Sequence, residues 1–229
     1  MSWVFGSDST VVTGTGSTCT PNAPSVAWNP GDLLLNFFTE GFGSHTISAV
    51  SPWVDLTPHV NVTSSQYVFG RLAAATNDAM MTATWSASTN FRCYSMAFTG
   101  PATVLTVDTS ADRAGNVTES IPGQVGNVTP SVDNCLAIYW GAKNKTSASN
   151  ASTFSLPAGW TLQMQDVMAG SASALVAGYQ IQTTASAIAP AQATGTVADA
   201  TTQTAKMVVI VIQPPSVPSA FRALLGVGR

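Results

Sequence analysis

The sequence predicts an all-β fold: a jelly-roll-like β-sandwich built from two similar halves, with an N-terminal arm and a short C-terminal helix. Short apolar segments of strand length recur along the 229 residues, and turn residues such as Pro30-Gly31 and Pro157-Ala158-Gly159 separate them. Few residues are available for helix-stabilising pairs. The same order of segments then occurs twice, which indicates one body made of two similar units.

The repeat rests on three pairs of matching positions, separated by 106, 107 and 108 residues: Pro24 and Pro130, Trp53 and Trp160, Gly70 and Gly178. This near-constant spacing predicts internal repeats over residues 24–100 and 130–213, within a sandwich that spans residues 24–213. We expect about four strands in each half, too few to bury an apolar face alone, so both halves should form one sandwich.

Two of the predicted strands are almost continuously apolar, from Leu33 to Phe38 and from Met207 to Ile212. Such a pattern is typical of strands that are covered on both faces. Two explanations stay open at this point. Either a neighbouring subunit covers the outer face of these strands, or the strands are simply central and short.

The two ends of the chain lie outside the repeat. Residues 1–23 are rich in Gly, Ser and Thr and predict an arm or an edge strand, whereas residues 214–229 form a C-terminal tail after Pro214-Pro215. The tail contains a short amphipathic pattern, and a helix of one to two turns is not stable alone. Its candidate partner-docking residues are Phe221, Arg222, Leu224 and Leu225. Packing of the helix on its own domain is the alternative.

Composition excludes several classes of function. Only 8% of the residues are charged, the net charge is −3, and no run of Lys or Arg is present. A nucleic-acid partner is therefore not expected, because phosphate binding needs a basic surface. The longest aliphatic run is too short to span a membrane. With so few charges, electrostatic repulsion between separate copies of the chain is weak. We therefore expect a homo-oligomer, with a trimer preferred.

The cysteines and the N-terminus predict a reducing environment. The first residues lack the basic and apolar segments of a secretory signal, so we expect synthesis in a cytoplasm. Cys19, Cys93 and Cys135 are an odd number without CxxC spacing. We therefore expect buried free thiols rather than a disulfide or a zinc site.

No catalytic motif is apparent. His45 and His59 are the only histidines, and Ser44 precedes His45, but neighbouring residues of a strand point to opposite faces and do not form a dyad. Neither a nucleophile elbow nor a phosphate-binding glycine loop is present. A glycosidase pair of carboxylates from distant strands stays open as a minor alternative. We predict that the protein is not an enzyme and needs no cofactor or metal.

The acidic residues have structural explanations. Asp108 and Asp112 flank a predicted turn, where solvated loop acids are expected in preference to a weak calcium site. Asp32 and Asp133 occupy equivalent strand starts, where a carboxylate caps a turn.

Four short segments together resemble proteins of the tailed-bacteriophage virion: Gly31 to Phe38, Gly70 to Ala73, Ala97 to Gly100, and Pro157 to Trp160. The first half departs from this pattern, because Pro52-Trp53 lacks the glycine. The resemblance implies a capsid decoration protein, a head fibre or spike, or a tail or fibre protein. It brings no catalytic residues.

We therefore expect a non-enzymatic virion structural protein, first a capsid decoration or head-surface protein, and second a tail or fibre component. It would be made in the host cytoplasm and would bind other virion proteins, such as the major capsid protein. A third hypothesis is a module that binds host surface glycan, with Trp28 and Trp140 as the stacking residues. Trp53 and Trp160 recur at matching positions, so we expect core or edge packing for them instead.

Overall fold

A computed structural model of the protein describes residues 1–40, 45–59, 66–117, 120–121, 123, 126–144, 153–166, 173–195 and 203–216. Thirteen strands and no helix lie in these ranges, which confirms the all-β class. The strands are β1 (Val4–Asp8), β2 (Val12–Cys19), β3 (Leu33–Glu40), β4 (Val54–Asp55), β5 (Gln66–Leu72), β6 (Ala83–Thr99), β7 (Val107–Val117), β8 (Cys135–Asn144), β9 (Phe154–Ser155), β10 (Thr161–Asp166), β11 (Ser173–Gln182), β12 (Thr194–Gly195) and β13 (Gln203–Ile212).

Each half of the chain builds one antiparallel sheet. The first sheet has the order β1-β6-β3-β5-β4, and β2 also pairs with β6. The second sheet has the order β10-β11-β8-β13-β7. When β1, β3, β4, β5 and β6 are matched with β7, β8, β10, β11 and β13, every strand has the same neighbours in both sheets. The prediction of two similar halves is therefore confirmed at the level of topology.

The second half has jelly-roll connectivity. A jelly roll places its first, last, third and sixth strands side by side in one sheet. In the second half these are β7, β13, β8 and β11, if the chain at Ile121 and Val128 counts as the second strand. That segment pairs with a later one through the bridges Ile121–Ala193 and Val128–Ile188, and β9 pairs with β12. Together these short pairings make a thin layer over the outer face of the second sheet.

Three apolar cores result from this stacking. In the central core the two sheets face each other, and the rings of Phe37 in β3 and Trp140 in β8 lie 5.3 Å apart. A first outer core lies between the first sheet and the loops that cover it, and a second outer core lies between the second sheet and its thin layer. The apolar strands are thus covered on both faces by their own chain, without a neighbouring subunit.

The two sheets stack with their strand orders reversed. Phe5 of β1 stacks on Tyr179 of β11, with ring centroids 5.1 Å apart. At the opposite edge, Leu105, just before β7, lies against Gly70 of β5. The β1 edge of the first sheet therefore faces the β10–β11 edge of the second sheet, and the β7 edge of the second sheet faces the β4–β5 edge of the first. This arrangement relates the halves by an approximate two-fold axis that runs along the strands between β3 and β8.

Strand register shows that the repeat does not have a constant spacing. Leu33 pairs with both Leu72 and Phe98, and Leu136 pairs with both Ile181 and Ile212. The three residues of the first set therefore correspond to the three of the second. The number of positions between corresponding residues differs from strand to strand, because the connecting loops differ in length.

Of the matching pairs on which the repeat was based, the tryptophan pair is equivalent in the fold and the glycine pair is not. The N–H groups of Trp53 and Trp160 each donate to the carbonyl three residues earlier, so these two tryptophans close equivalent turns. Gly70 and Gly178 are not equivalent. Gly70 faces the central core, beside Leu105, whereas Gly178 faces outward toward Leu156.

The segment predicted as an arm or edge strand is built into the first sheet. Both β1 and β2 pair with β6. Trp3 is buried in the central core, and its Nε1 donates to the carbonyl of Gln213 at 2.8 Å. The N-terminal segment is thereby attached to the residue that directly follows β13.

Candidate functional site

The tryptophans proposed for glycan binding are buried. Trp28 is 6% exposed in the first outer core, and Trp140 is fully buried in the central core. Neither offers a free ring face to a sugar. Trp53 is also buried, as expected, whereas Trp160 is partly exposed at the border of the second outer core. The glycan hypothesis therefore has no support from the residues chosen for it.

The proposed docking residues cannot be placed. Phe221, Arg222, Leu224 and Leu225 fall within residues 217–229, outside the described ranges, as does the predicted C-terminal helix. The described chain ends beside the N-terminus, because Pro215 lies near Gly100 and Trp3. The docking role of the tail stays a prediction.

Both histidines form carboxylate pairs on the outer side of the first sheet. The Nδ1 of His45 lies 2.5 Å from Oε2 of the buried Glu40, whose other oxygen accepts the His45 backbone N–H at 2.9 Å. The Nε2 of His59 lies 2.8 Å from Oδ2 of Asp55. The two pairs share a neighbour, Tyr67, whose ring centroid is 5.1 Å from that of His59.

Tyr67 joins these pairs electrostatically. Burial raises the pKa of its hydroxyl, a hydrogen bond with the Ile47 backbone opposes this, and the charges of Asp55 and Glu40 raise it further. The ring stays a neutral phenol at physiological pH. His59 has a positive φ of 53°, a backbone conformation that few residues other than glycine adopt.

This cluster fastens loops to the first sheet. Glu40 ends β3 and binds the backbone N–H and the ring of His45, and Asp55 of β4 binds the ring of His59. An imidazole oriented by a carboxylate also resembles the base of a catalytic triad. A triad needs a nucleophile as well, and the ring contact that the structure describes for His45 is with Glu40 alone. The geometry supports a structural role for the pair.

A second polar cluster lies between the sheets, where β3 and β8 end. Nε of Arg92 in β6 donates to Oδ2 of Asp166 in β10 at 3.0 Å, and both side chains are more than nine-tenths buried. Lys206 of β13 also points inward, since it alternates with the outward-facing Met207. Burial lowers the pKa of Lys206, and the charge of Glu40 partly offsets this. Sequence alternation signals this cluster, because Arg92 has the parity of the inward-facing Tyr94 and Met96.

Gln66 completes the inward face at this end. It pairs with Thr39, which pairs in turn with Arg92. Both amide atoms of its side chain are buried, and neither has a hydrogen-bond partner among the residues that the structure describes. Such a group is destabilising by about 1–3 kcal/mol unless water satisfies it. No sequence signal distinguishes this glutamine from the glutamines of other strands.

The cysteine prediction was wrong for two of the three residues. Cys19 at the end of β2 and Cys93 in β6 form a disulfide, with 6.7 Å between their Cα atoms. Cys135 is a buried free thiol, as expected. The sequence spacing gave no signal because the partners lie 74 positions apart and meet only when the first outer core forms.

The acidic residues are more ordered than predicted. Asp108 and Asp112 both lie in β7 rather than in a loop, and Asp112 is buried. Asp108 accepts hydrogen bonds from the backbone N–H and the hydroxyl of Ser131. The turn-capping expectation agrees with the fold at both strand starts: Asp32 accepts the N–H groups of Asn29 and Gly100, and Asp133 accepts that of Ala185.

Neither a metal nor a relative helps to assign function. Within the described ranges, no three His, Cys, Asp or Glu side chains lie close enough to hold a metal ion. No helix long and apolar enough to cross a bilayer occurs in the same ranges. Comparison with protein-family models, curated proteins and solved structures gave no match for this chain.

Proposed function

We propose that this protein is a non-enzymatic structural component of a tailed-bacteriophage virion, first of all a capsid decoration or head-surface protein. The observation that carries the proposal is the Cys19–Cys93 disulfide. Disulfides persist in oxidising surroundings, which include the surfaces of virions, and are rare in proteins that work in a reducing cytoplasm. A disulfide in this chain therefore fits a component of a particle that is released from the cell in which it is assembled.

The architecture is also suited to this role. Jelly-roll sandwiches are common in viral capsids, although a fold alone does not assign function. Contacts between polar side chains connect parts of the chain, as the Glu40–His45 hydrogen bond and the Arg92–Asp166 ion pair do. This use of charged groups to stabilise the fold is what we expect of a structural protein. The four sequence segments that resemble virion proteins support the same proposal.

The proposed partners are other copies of the chain, in a trimer, and the major capsid protein. Exposed valines lie along the edge of the sandwich formed by β4 and β7, where they could contact a partner: Val54, Val104 and Val107. The apolar strands no longer motivate an oligomer, because their own chain covers them. The proposal of a homo-oligomer therefore depends on the sparse surface charge and on these exposed valines.

Mass spectrometry of purified particles tests the proposal. We expect the chain in particles at a fixed copy number, in fractions that contain heads. Recovery with separated tails would favour the alternative, a tail or fibre component. Absence from complete, infectious particles would contradict both assignments. Light scattering on the isolated protein checks the trimer, which a stable monomer at micromolar concentration would contradict.

A further inference from the structure

We propose that Cys19 and Cys93 form a redox-controlled staple, which locks the outer layer of the first half only after the chain reaches an oxidising medium. The layer is the part of the first half that packs over the outer face of the first sheet, and it includes the end of β2. This inference depends on the geometry of the two cysteines and holds whether or not the protein belongs to a virion.

The disulfide does not join neighbours in the β2–β6 ladder. Cys93 lies opposite Val12, whereas Cys19 lies opposite Ala83. Between these points the ladder shifts: β2 advances from Gly16 to Thr18 while β6 moves from Thr89 to Thr84. The ribbon therefore turns back over the sheet, which brings its far end onto Cys93. The bond connects the covering layer to the central sheet across the first outer core.

The second half manages without such a bond. Its outer layer is held by the backbone bridges Ile121–Ala193 and Val128–Ile188 and by the β9–β12 pair. Cys135 lies in the second outer core, on the far side of both sheets from the disulfide. Burial raises the pKa of its thiol to about 11, and its Sγ–H donates to the Val132 carbonyl. It is therefore a poor nucleophile at neutral pH and does not compete for either partner.

Burial seals the closed staple. Cys19 is 4% exposed and Cys93 is fully buried, beneath aromatic residues that include Trp85 and Phe38. Thiol–disulfide exchange requires a thiolate to reach a sulfur atom. The layer must therefore open before the bond can form or break. In a reducing cytoplasm the layer opens and closes freely, and after oxidation it stays closed.

The oxidant we propose is a low-molecular-weight disulfide, RSSR. The Cys19 thiolate, nearer the surface, attacks one sulfur of RSSR, forms a mixed disulfide and releases one thiolate RS⁻. The Cys93 thiolate then attacks Cys19 Sγ and releases the second RS⁻. Two cysteine thiols lose two electrons and two protons, and RSSR gains them to become two RSH, so the reaction balances.

Trapping and hydrogen exchange on the full chain test the staple. The protein is made in a reducing cytoplasm, and free thiols are alkylated at lysis. We expect Cys19 and Cys93 both to be alkylated, and to form one disulfide after incubation with glutathione disulfide. Amide exchange in residues 12–19 should slow by at least about tenfold on oxidation, because opening is then restricted. Exchange in β8 should not change.

The oxidised wild-type protein also allows the reverse reaction to be measured, since dithiothreitol reduces the disulfide again. Reduction should be slow in buffer and fast in denaturing urea, because only opening exposes the sulfur atoms. Cys135→Ser should oxidise as the wild type does, and Cys19→Ser should keep the fast exchange under oxidant. The proposal is overturned if the pair stays reduced in glutathione disulfide, if Cys135 enters the bond, or if β2 exchanges equally in both states.

Discussion

The two halves share one strand order but cover their outer faces in different ways. The first half uses large aromatic side chains and a disulfide in its outer core, among them Trp28, Trp85 and Phe69. The second half uses small residues such as Ala137 and Ala193 under a layer held by backbone bridges. Small side chains allow the layer to approach the sheet and pair with itself, whereas bulky ones hold it away. The comparison indicates that the shared strand order does not depend on how the outer face is covered. The covering layer can be held by a disulfide and aromatic packing or by backbone bridges.

The inward faces have also diverged. By register, Arg92 of the first half corresponds to Lys206 of the second, because each lies six positions before the residue opposite Leu33 or Leu136. Arg92 pairs with Asp166 across the sheets. Gln66 corresponds to Leu175, so one half presents an amide where the other presents an apolar side chain. The approximate two-fold symmetry therefore holds for the backbone but not for the polar end of the central core.

The largest expected effect tests whether the halves depend on one shared core. Trp140 belongs to the second half but lies against Phe37 of the first. Trp140→Ala should lower the free energy of unfolding by about 3–5 kcal/mol, because it leaves a cavity at the centre. For a chain of this size the melting temperature should fall by about 6–20 °C. Calorimetry should show a single transition in both proteins.

Trp160→Ala is the matched control. Trp160 is partly exposed and packs at the border of the second outer core, so its loss should lower stability much less. Two separate melting transitions in the wild type would show that each half folds by itself. Equal effects of the two substitutions would contradict the central position assigned to Trp140.

The second effect concerns the ion pair between the halves. Arg92→Met leaves the Asp166 carboxylate buried in the polar cluster without this partner. Removing one member of a buried pair typically lowers stability by about 3–5 kcal/mol. Adding Asp166→Leu should recover most of this loss, since no buried carboxylate then remains at this position. Urea denaturation of the two single variants and the double variant measures this coupling, and purely additive losses would count against the pair.

Sequence reasoning predicted the features that depend on local pattern. It found the all-β class, the two halves and the burial of Trp53, because strand length, turn residues and repeated order are local signals. It missed the disulfide and the Arg92–Asp166 pair, whose partners meet only through the stacking of layers. It also matched Gly70 with Gly178, since counting positions ignores which face of the strand a residue occupies.

The third effect uses those two glycines to test the register. A Cβ at Gly178 would lie 2.7 Å from the Thr161 carbonyl oxygen, a backbone atom of the neighbouring strand. A Cβ at Gly70 would lie 2.6 Å from Leu56 Cδ1, the end of a side chain that can rotate. Gly178→Ala should therefore lower stability by about 1–3 kcal/mol, and Gly70→Ala by less. Thermal melts compare them, and the reverse order would contradict the assigned faces.

The smallest effect concerns the point where the halves are joined, and it depends on pH. Partial burial raises the pKa of Asp108, but hydrogen bonds from the Ser131 hydroxyl, Gln213 and the Ser131 backbone outweigh this and hold the pKa below its ordinary value. A lowered pKa in the folded state means that ionised Asp108 stabilises the fold above its unfolded pKa of about 4. This contribution is lost as pH falls through the lower, folded value. Since the carboxylate is largely accessible, we expect less than about 1 kcal/mol. Asp108→Asn should therefore melt slightly below the wild type at pH 7, and the gap should narrow as the pH falls below the unfolded pKa of about 4. A gap that is independent of pH would show that the side chain acts through packing rather than through its charge.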